Sequence, residues 1–181
     1  PDLNTVRQAA DQLAGLQARA ETAENRADAI TDTLQKGRDD TRNLIASLPA
    51  DPLETDKAAK LEKAREQLMM LPSDQRAAQL RDMSAWFPTD EKLGYQTSLQ
   101  NAALVAEQER PAEARRAELE NVIRQDAAEM ERVASTARNE LAKSPVPAAQ
   151  AAAEALDHFR QNVAARQFPE AGRNLEAFRE N

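Results

Sequence analysis

The chain predicts an all-α fold: an elongated antiparallel coiled coil or helical bundle with two long helices and several short ones. Three observations lead there. Alternating steps of three and four pass through Val6, Ala9, Leu13, Leu16, Ala20, Ala23, Ala27, Ile30, Leu34, Gly37, Thr41, Leu44 and Leu48, and all but Gly37 and Thr41 are apolar. That spacing is the a/d repeat of a coiled coil, held for about six heptads. Ala, Glu, Lys, Leu and Arg supply 97 of the 181 residues, the composition of long helices. Four glycines and few β-branched residues leave little from which to build a sheet.

Helix one is expected from Asp2 to Leu48, with no proline between them. At 1.5 Å per residue it would be roughly 70 Å long. Gly37 and Thr41 weaken its last third, since glycine costs ~1 kcal/mol relative to alanine. Leu48-Pro49-Ala50-Asp51-Pro52 reads as a stop and a restart, with Asp51 capping the next helix and Pro52 at its first position. Helix two should run to Leu71, with Leu61, Ala64, Leu68 and Leu71 on one stripe. Pro72 interrupts. Ser73 can cap a third helix through Phe87, with Leu80, Met83 and Phe87 facing inward. Phe87-Pro88-Thr89-Asp90 is a further boundary, and Leu93-Gly94 a bend.

A second long segment spans residues 95–143. Leu99, Ala102 and Ala106 mark its first half, and Ile123, Ala127, Met130, Ala134, Ala137 and Leu141 its second. The register breaks around Glu109-Arg110-Pro111, where Pro111 removes a helix hydrogen bond and should kink or split the helix. Ser144-Pro145-Val146-Pro147 is expected to be rigid and non-helical. A closing hairpin follows, with Ala149, Ala152, Leu156, Phe159 and Val163 on one helix. Phe168-Pro169 leads into the other, with Ala171, Leu175 and Phe178. The domains expected are thus a long-helix bundle over 1–143 and a hairpin over 144–181, packed on it or following it. In the simplest packing, segment 95–143 lies antiparallel to helix one, with helices two and three thickening one end. The strip Ala20, Ala23, Ala27 would then face Ala127, Ala134, Ala137.

Half of the hydrophobic residues are alanine, 37 in all. Each buries little area, so the core should be thin and the helices close together. Net charge is −7 and spread along the chain. No basic face is present to neutralise phosphates, so nucleic acid is not an expected partner. No run reaches the ~18 apolar residues of a membrane span. The absence of cysteine removes disulfides and thiolate chemistry and suits both the periplasm and the cytosol.

Chemistry is sparse. His158 is the one histidine, without a second histidine or cysteine to share a metal, and reads as a surface residue. The carboxylates sit among arginines at helical spacing, as in Glu113, Arg116 and Glu120, which reads as a solvated ion-pair face. Met69-Met70-Leu71 and Trp86-Phe87 could line a ligand pocket, but core packing is the preferred reading. No phosphate loop, zinc spacing or calcium loop occurs. No catalytic, cofactor-binding or metal residue is therefore expected, and no enzymatic activity.

Pro1-Asp2-Leu3, Ile30-Thr31-Asp32-Thr33-Leu34, Ser98-Leu99-Gln100-Asn101, Gln108-Glu109-Arg110-Pro111 and Asn174-Leu175-Glu176 resemble the helical periplasmic region of large mechanosensitive channels, the potassium-dependent type of the small-conductance superfamily. The resemblance runs loosely over the whole chain. It implies a non-enzymatic, extracytoplasmic, bacterial module attached to a larger membrane protein, with neighbouring subunits or another protein as partners. The pore of that family lies in its membrane portion, so no pore residue is carried over. A chain that opens on Pro1 fits a segment of something longer. Two other readings stay open: a four-helix ligand-sensing domain of a receptor, and a cytosolic coiled-coil scaffold. Inward polar or arginine residues at equal depth on the two long helices would favour the sensor, and the register places only Thr41 there.

Overall fold

A computed structural model of the chain describes residues 2–88 and 94–180. Those residues form six α-helices and no strand: α1 (Leu3–Ser47), α2 (Thr55–Gln67), α3 (Ser73–Ser84), α4 (Tyr95–Leu141), α5 (Pro147–Ala164) and α6 (Phe168–Glu180). The fold is all-α, with two long helices of 45 and 47 residues and four short ones. All thirteen positions of the α1 repeat are buried or half-buried. The seam of small and apolar residues is thus what holds α1 in the fold.

The boundaries correct the expectations in several places. α2 starts at Thr55, because residues 51–53 form a turn closed by Leu53 N–H donating to Ala50 C=O. Asp51 and Pro52 therefore precede the helix instead of capping it. The stripe of α2 does continue to Leu71, but Leu68–Met70 tightens into a 3₁₀ turn ahead of Pro72. α3 takes Pro72 as its N-cap, without a side-chain cap from Ser73, and stops at Ser84. Pro111 does not split α4, which is continuous from Tyr95 to Leu141. Pro111 is exposed. The Glu107 carbonyl that loses its helical donor is on the same helix four residues earlier, where solvent can replace the bond. The boundary at Thr89-Asp90 and Leu93 of the expected bend lie outside the described residues. Gly94, beside them, has φ +64°, a conformation open to glycine.

Contacts divide the chain into two compact units, Pro1–Ala27 with Ala117–Asn181, and Asp28–Arg116. This differs from a division at residue 143. The hairpin shares one core with the flanking parts of α1 and α4, because its apolar faces have no other partner.

In the first unit four helical segments surround Leu13, Ala20, Ile123, Met130, Ala134, Leu156, Phe159 and Phe168. α1 and α4 contribute alanines (Ala20, Ala23, Ala134 and Ala137) interleaved with larger side chains (Leu13, Ile123, Met130 and Leu141), and the hairpin contributes Phe159, Phe168 and Phe178. Burying each phenylalanine stabilises by ~1.5–3 kcal/mol. α1 and α4 run antiparallel here. The Asp2 N–H donates to the Glu140 carboxylate at 2.8 Å, and Arg19 grips Asp126 through Nε and Nη2. The strip Ala20, Ala23, Ala134, Ala137 lies in this core, with Ala127 packed against it. Pro147 opens α5 and α4 ends at Leu141, so the non-helical linker is 142–146. α5 ends in a Schellman turn: Gln167 N–H donates to Asn162 C=O at 2.8 Å and Arg166 N–H to Val163 C=O at 3.0 Å. Its left-handed residue is Arg166, at φ +58°, where glycine is usual.

The second unit also has four helical segments. Leu61, Leu68, Leu80, Met83, Phe87, Leu99 and Ala103 form its core, with Ile45 of α1 and Leu48 just beyond it. Arg65 of α2 donates to the Ile45 and Leu48 carbonyls, satisfying acceptors that the end of α1 leaves open. Gly37 allows close approach: a Cβ there would meet Val105 Cγ1 at 2.9 Å.

Candidate functional sites

Two concave surfaces stand out, one in each unit. In the first unit, a groove of about 890 Å³ opens where the start of α1, the start of α5 and the end of α6 converge. Leu3, Val6 and Ala10 follow helical spacing along α1. Val146 and Ala149 do so at the start of α5, and Phe178 closes the floor. Leu3 is 60% exposed and Val146 52%. Large apolar side chains left this open, next to one another, mark a surface suited to covering by a partner. Arg179 pairs with Asp11 at 3.2 Å on the rim. Arg7, also lining the groove, has no ion-pair partner among the described residues.

In the second unit, a cleft of about 730 Å³ is lined by Met69, Met70, Leu71 and Pro72 on one side and by charged residues on the other. At its base Arg76 and Glu109 form a pair at 2.5 Å, with side chains 5% and 4% exposed. Arg76 also donates to the Leu71 carbonyl at 3.3 Å. Arg38 of α1 reaches Glu109 at 3.5 Å and Glu113 at 3.0 Å. Arg110 pairs with Asp74 at 3.0 Å. Arginine suits this role because its planar fork can hold two acceptors at once and stays charged when buried.

The register of α4 did not break at Glu109. The steps of three and four continue from Leu99 through Ala102, Ala106, Glu109, Glu113, Arg116 and Glu120 to Ile123. The seam simply becomes charged over that stretch, and each charged residue has a partner on another helix. Glu109 meets Arg76 and Arg38, Glu113 meets Arg38, Arg116 donates to Thr31 at 3.2 Å, and Glu120 accepts from Arg166 at 2.8 Å. The mixed charges of this stretch are thus helix-to-helix links as well as a solvated face. Arg166 reaches Glu24 too, at 3.2 Å. That places one side chain between α1 and α4 and gives a reason for arginine at a left-handed position. Asp126, in the first unit, is a further buried carboxylate that the apolar repeat passes over.

The residues singled out from the sequence fall as follows. His158 is exposed on α5, beside Asp157, whose carboxylate faces Arg138 and Arg160 at 3.4 Å each. Phe87 is buried, and Leu71 and Trp86 pack against the core of the second unit. Met70, by contrast, is 76% exposed and edges the charged cleft. Lys57 Nζ lies 5.6 Å from the Trp86 ring centre, a cation–π distance. Among the described residues no group of three His, Cys, Asp or Glu side chains is placed to hold a metal ion. No helix among them is long and apolar enough to cross a membrane. Compared with protein-family models, curated proteins and solved structures, the chain matches none.

Proposed function

We propose that the chain is a non-catalytic helical module that spaces and binds proteins, and that the groove of the first unit is where a protein partner docks. The groove carries this reading: Leu3 of α1 and Val146 at the start of α5 stand more than half exposed along it. The setting we propose is the extracytoplasmic part of a larger membrane protein, as the resemblance to large mechanosensitive channels implies. A photo-crosslinking amino acid in place of Val146 tests the docking reading. In cells it should give a discrete protein adduct, and the same probe at the exposed Asn25 should not. No adduct at Val146 refutes it. An alkaline phosphatase fusion to the full-length gene product, active only outside the cytoplasm, tests the setting.

A second reading, a small-molecule sensor, is favoured by one observation. Arg38 on α1 and Glu109 and Glu113 on α4 meet at the charged cleft, the inward polar cluster that such a domain requires. Its test is a thermal-shift screen of amino acids and dicarboxylates. A hit must disappear in Arg38→Gln for the reading to stand.

A further inference from the structure

We propose that the occupant of the groove is an amphipathic helix with an acidic edge, supplied by a different protein. This rests on reading the chain as a protein-binding module and adds the chemistry of the partner. The walls favour a helix. Leu3, Val6 and Ala10 form a row at helical spacing on α1, and Val146 and Ala149 begin a second row on α5. An added helix can lay a ridge of its own side chains between two such rows. An extended peptide would need a sheet edge to extend, and no strand occurs among the described residues. A small apolar ligand fits less well, because such sites bury ~70–90% of their ligand, whereas Leu3 and Val146 stand more than half exposed.

Charge selects the edge. On the rim Asp11 is engaged by Arg179, which leaves Arg7 without a carboxylate among the described residues. The rim is therefore net positive by one, on a chain whose net charge is −7. A glutamate or aspartate flanking the partner's apolar face meets Arg7 favourably, and a lysine there is repelled. A second copy docked groove to groove would set one Arg7 against the other, which disfavours it as occupant.

The test uses the whole chain and two fluorescein-labelled peptides of about fourteen residues, long enough to form helix when bound. Both carry leucines at helical spacing. One has glutamates along its edges, the other lysines. Fluorescence anisotropy at low salt should show the glutamate peptide binding at least about tenfold more tightly, and high salt should shrink that ratio. Val146→Glu should abolish binding of the glutamate peptide with the circular dichroism spectrum unchanged, since Val146 is largely exposed. Arg7→Glu should reverse the order of the two peptides. Equal affinity for both overturns the proposal. So does a concentration-dependent dimer, seen by sedimentation, that Val146→Glu dissolves, because a second copy then fills the groove. If neither peptide binds while Val146 still crosslinks to a protein in cells, the acidic helix is wrong and the docking reading survives. If the crosslink also fails, both fall.

Discussion

Removing one member of the buried pair at the base of the charged cleft should destabilise the second unit strongly and unequally. In Glu109→Leu, the Arg76 guanidinium keeps only its 3.3 Å bond to the Leu71 carbonyl while its side chain stays 5% exposed. An uncompensated buried charge of this kind costs ~3–5 kcal/mol. In Arg76→Met, Glu109 still has Arg38, 3.5 Å away and one-third exposed, which can close in. That loss should be about half as large, ~1.5–3 kcal/mol, because the remaining charge is still paired. In the double variant, Glu109→Leu with Arg76→Met, neither charge is left, and stability should return to within ~1 kcal/mol of the parent or exceed it. Urea titration followed by Trp86 fluorescence is the assay. Trp86 is the one tryptophan and packs against this unit's core. With an m-value near 2 kcal/mol/M, Glu109→Leu should lower the midpoint by roughly 2 M. Equal losses in the two single variants, or a double variant as weak as their sum, would refute the pairing as described.

Three further outcomes follow from the geometry. Gly15→Ala in α1 should raise stability by ~0.5–1 kcal/mol, since nothing lies within 4 Å of a Cβ there. Gly37→Ala should fail to do so, because its Cβ would meet Val105 at 2.9 Å, and thermal melts compare the two directly. The carboxyls of Glu107, Glu129, Glu131 and Glu140 are held below the usual 4.5 by hydrogen bonds from Arg81, Arg132, Arg160 and Lys143. A lowered folded value adds stability that is complete above 4.5 and is lost as pH falls through it. Urea midpoints should therefore fall on acidification below that point, and Glu131→Gln should flatten the fall. At Arg166, glycine relieves the left-handed backbone by ~1 kcal/mol but gives up the links to Glu24 and Glu120, which at the surface are worth ~0–1 kcal/mol each. Arg166→Gly should therefore change the melting temperature little, whereas Arg166→Val loses on both counts and should melt clearly lower.

The helices were legible from the sequence because burial in this fold follows apolar spacing almost position by position. The seam of α1, the stripes of α2 and α3 and the two faces of the hairpin all lie inward. The antiparallel pairing was legible too, since alanine strips on α1 and α4 have few other ways to be covered. The charged cleft was not. Glu109 occupies a seam position, but a pattern read by hydrophobicity registers a buried carboxylate as a break in the pattern. Spacing alone would have carried the seam through Glu109, Glu113, Arg116 and Glu120. Arg76 gave no such sign, because its burial depends on how α3 is laid against α4, a matter of tertiary packing. The groove was hidden for the opposite reason. Leu3 and Val6 look like ordinary apolar stripe residues in sequence, and only the convergence of three helix ends leaves Leu3 open and Val6 half-buried above the buried Phe178. Pro111 misled because a proline's effect depends on which side of the helix it faces, and this one faces water.

The alanine seam also sets how this protein can drift. Ala20, Ala103, Ala134, Ala137 and Ala171 are completely buried, in places where a larger side chain would force backbones apart at a cost of ~1–3 kcal/mol. Single-base changes in an alanine codon lead to valine, threonine, proline, aspartate, glutamate, serine or glycine. Most of these are larger, charged or helix-breaking, and the small ones weaken the helix or bring a hydroxyl into the core. Such a core therefore has few neutral neighbours in sequence space at its centre, while the charged outer faces have many. Among relatives of this chain, the surface should diverge quickly and the spacing of small residues should persist, so that shared ancestry would show in where the alanines stand rather than in overall identity.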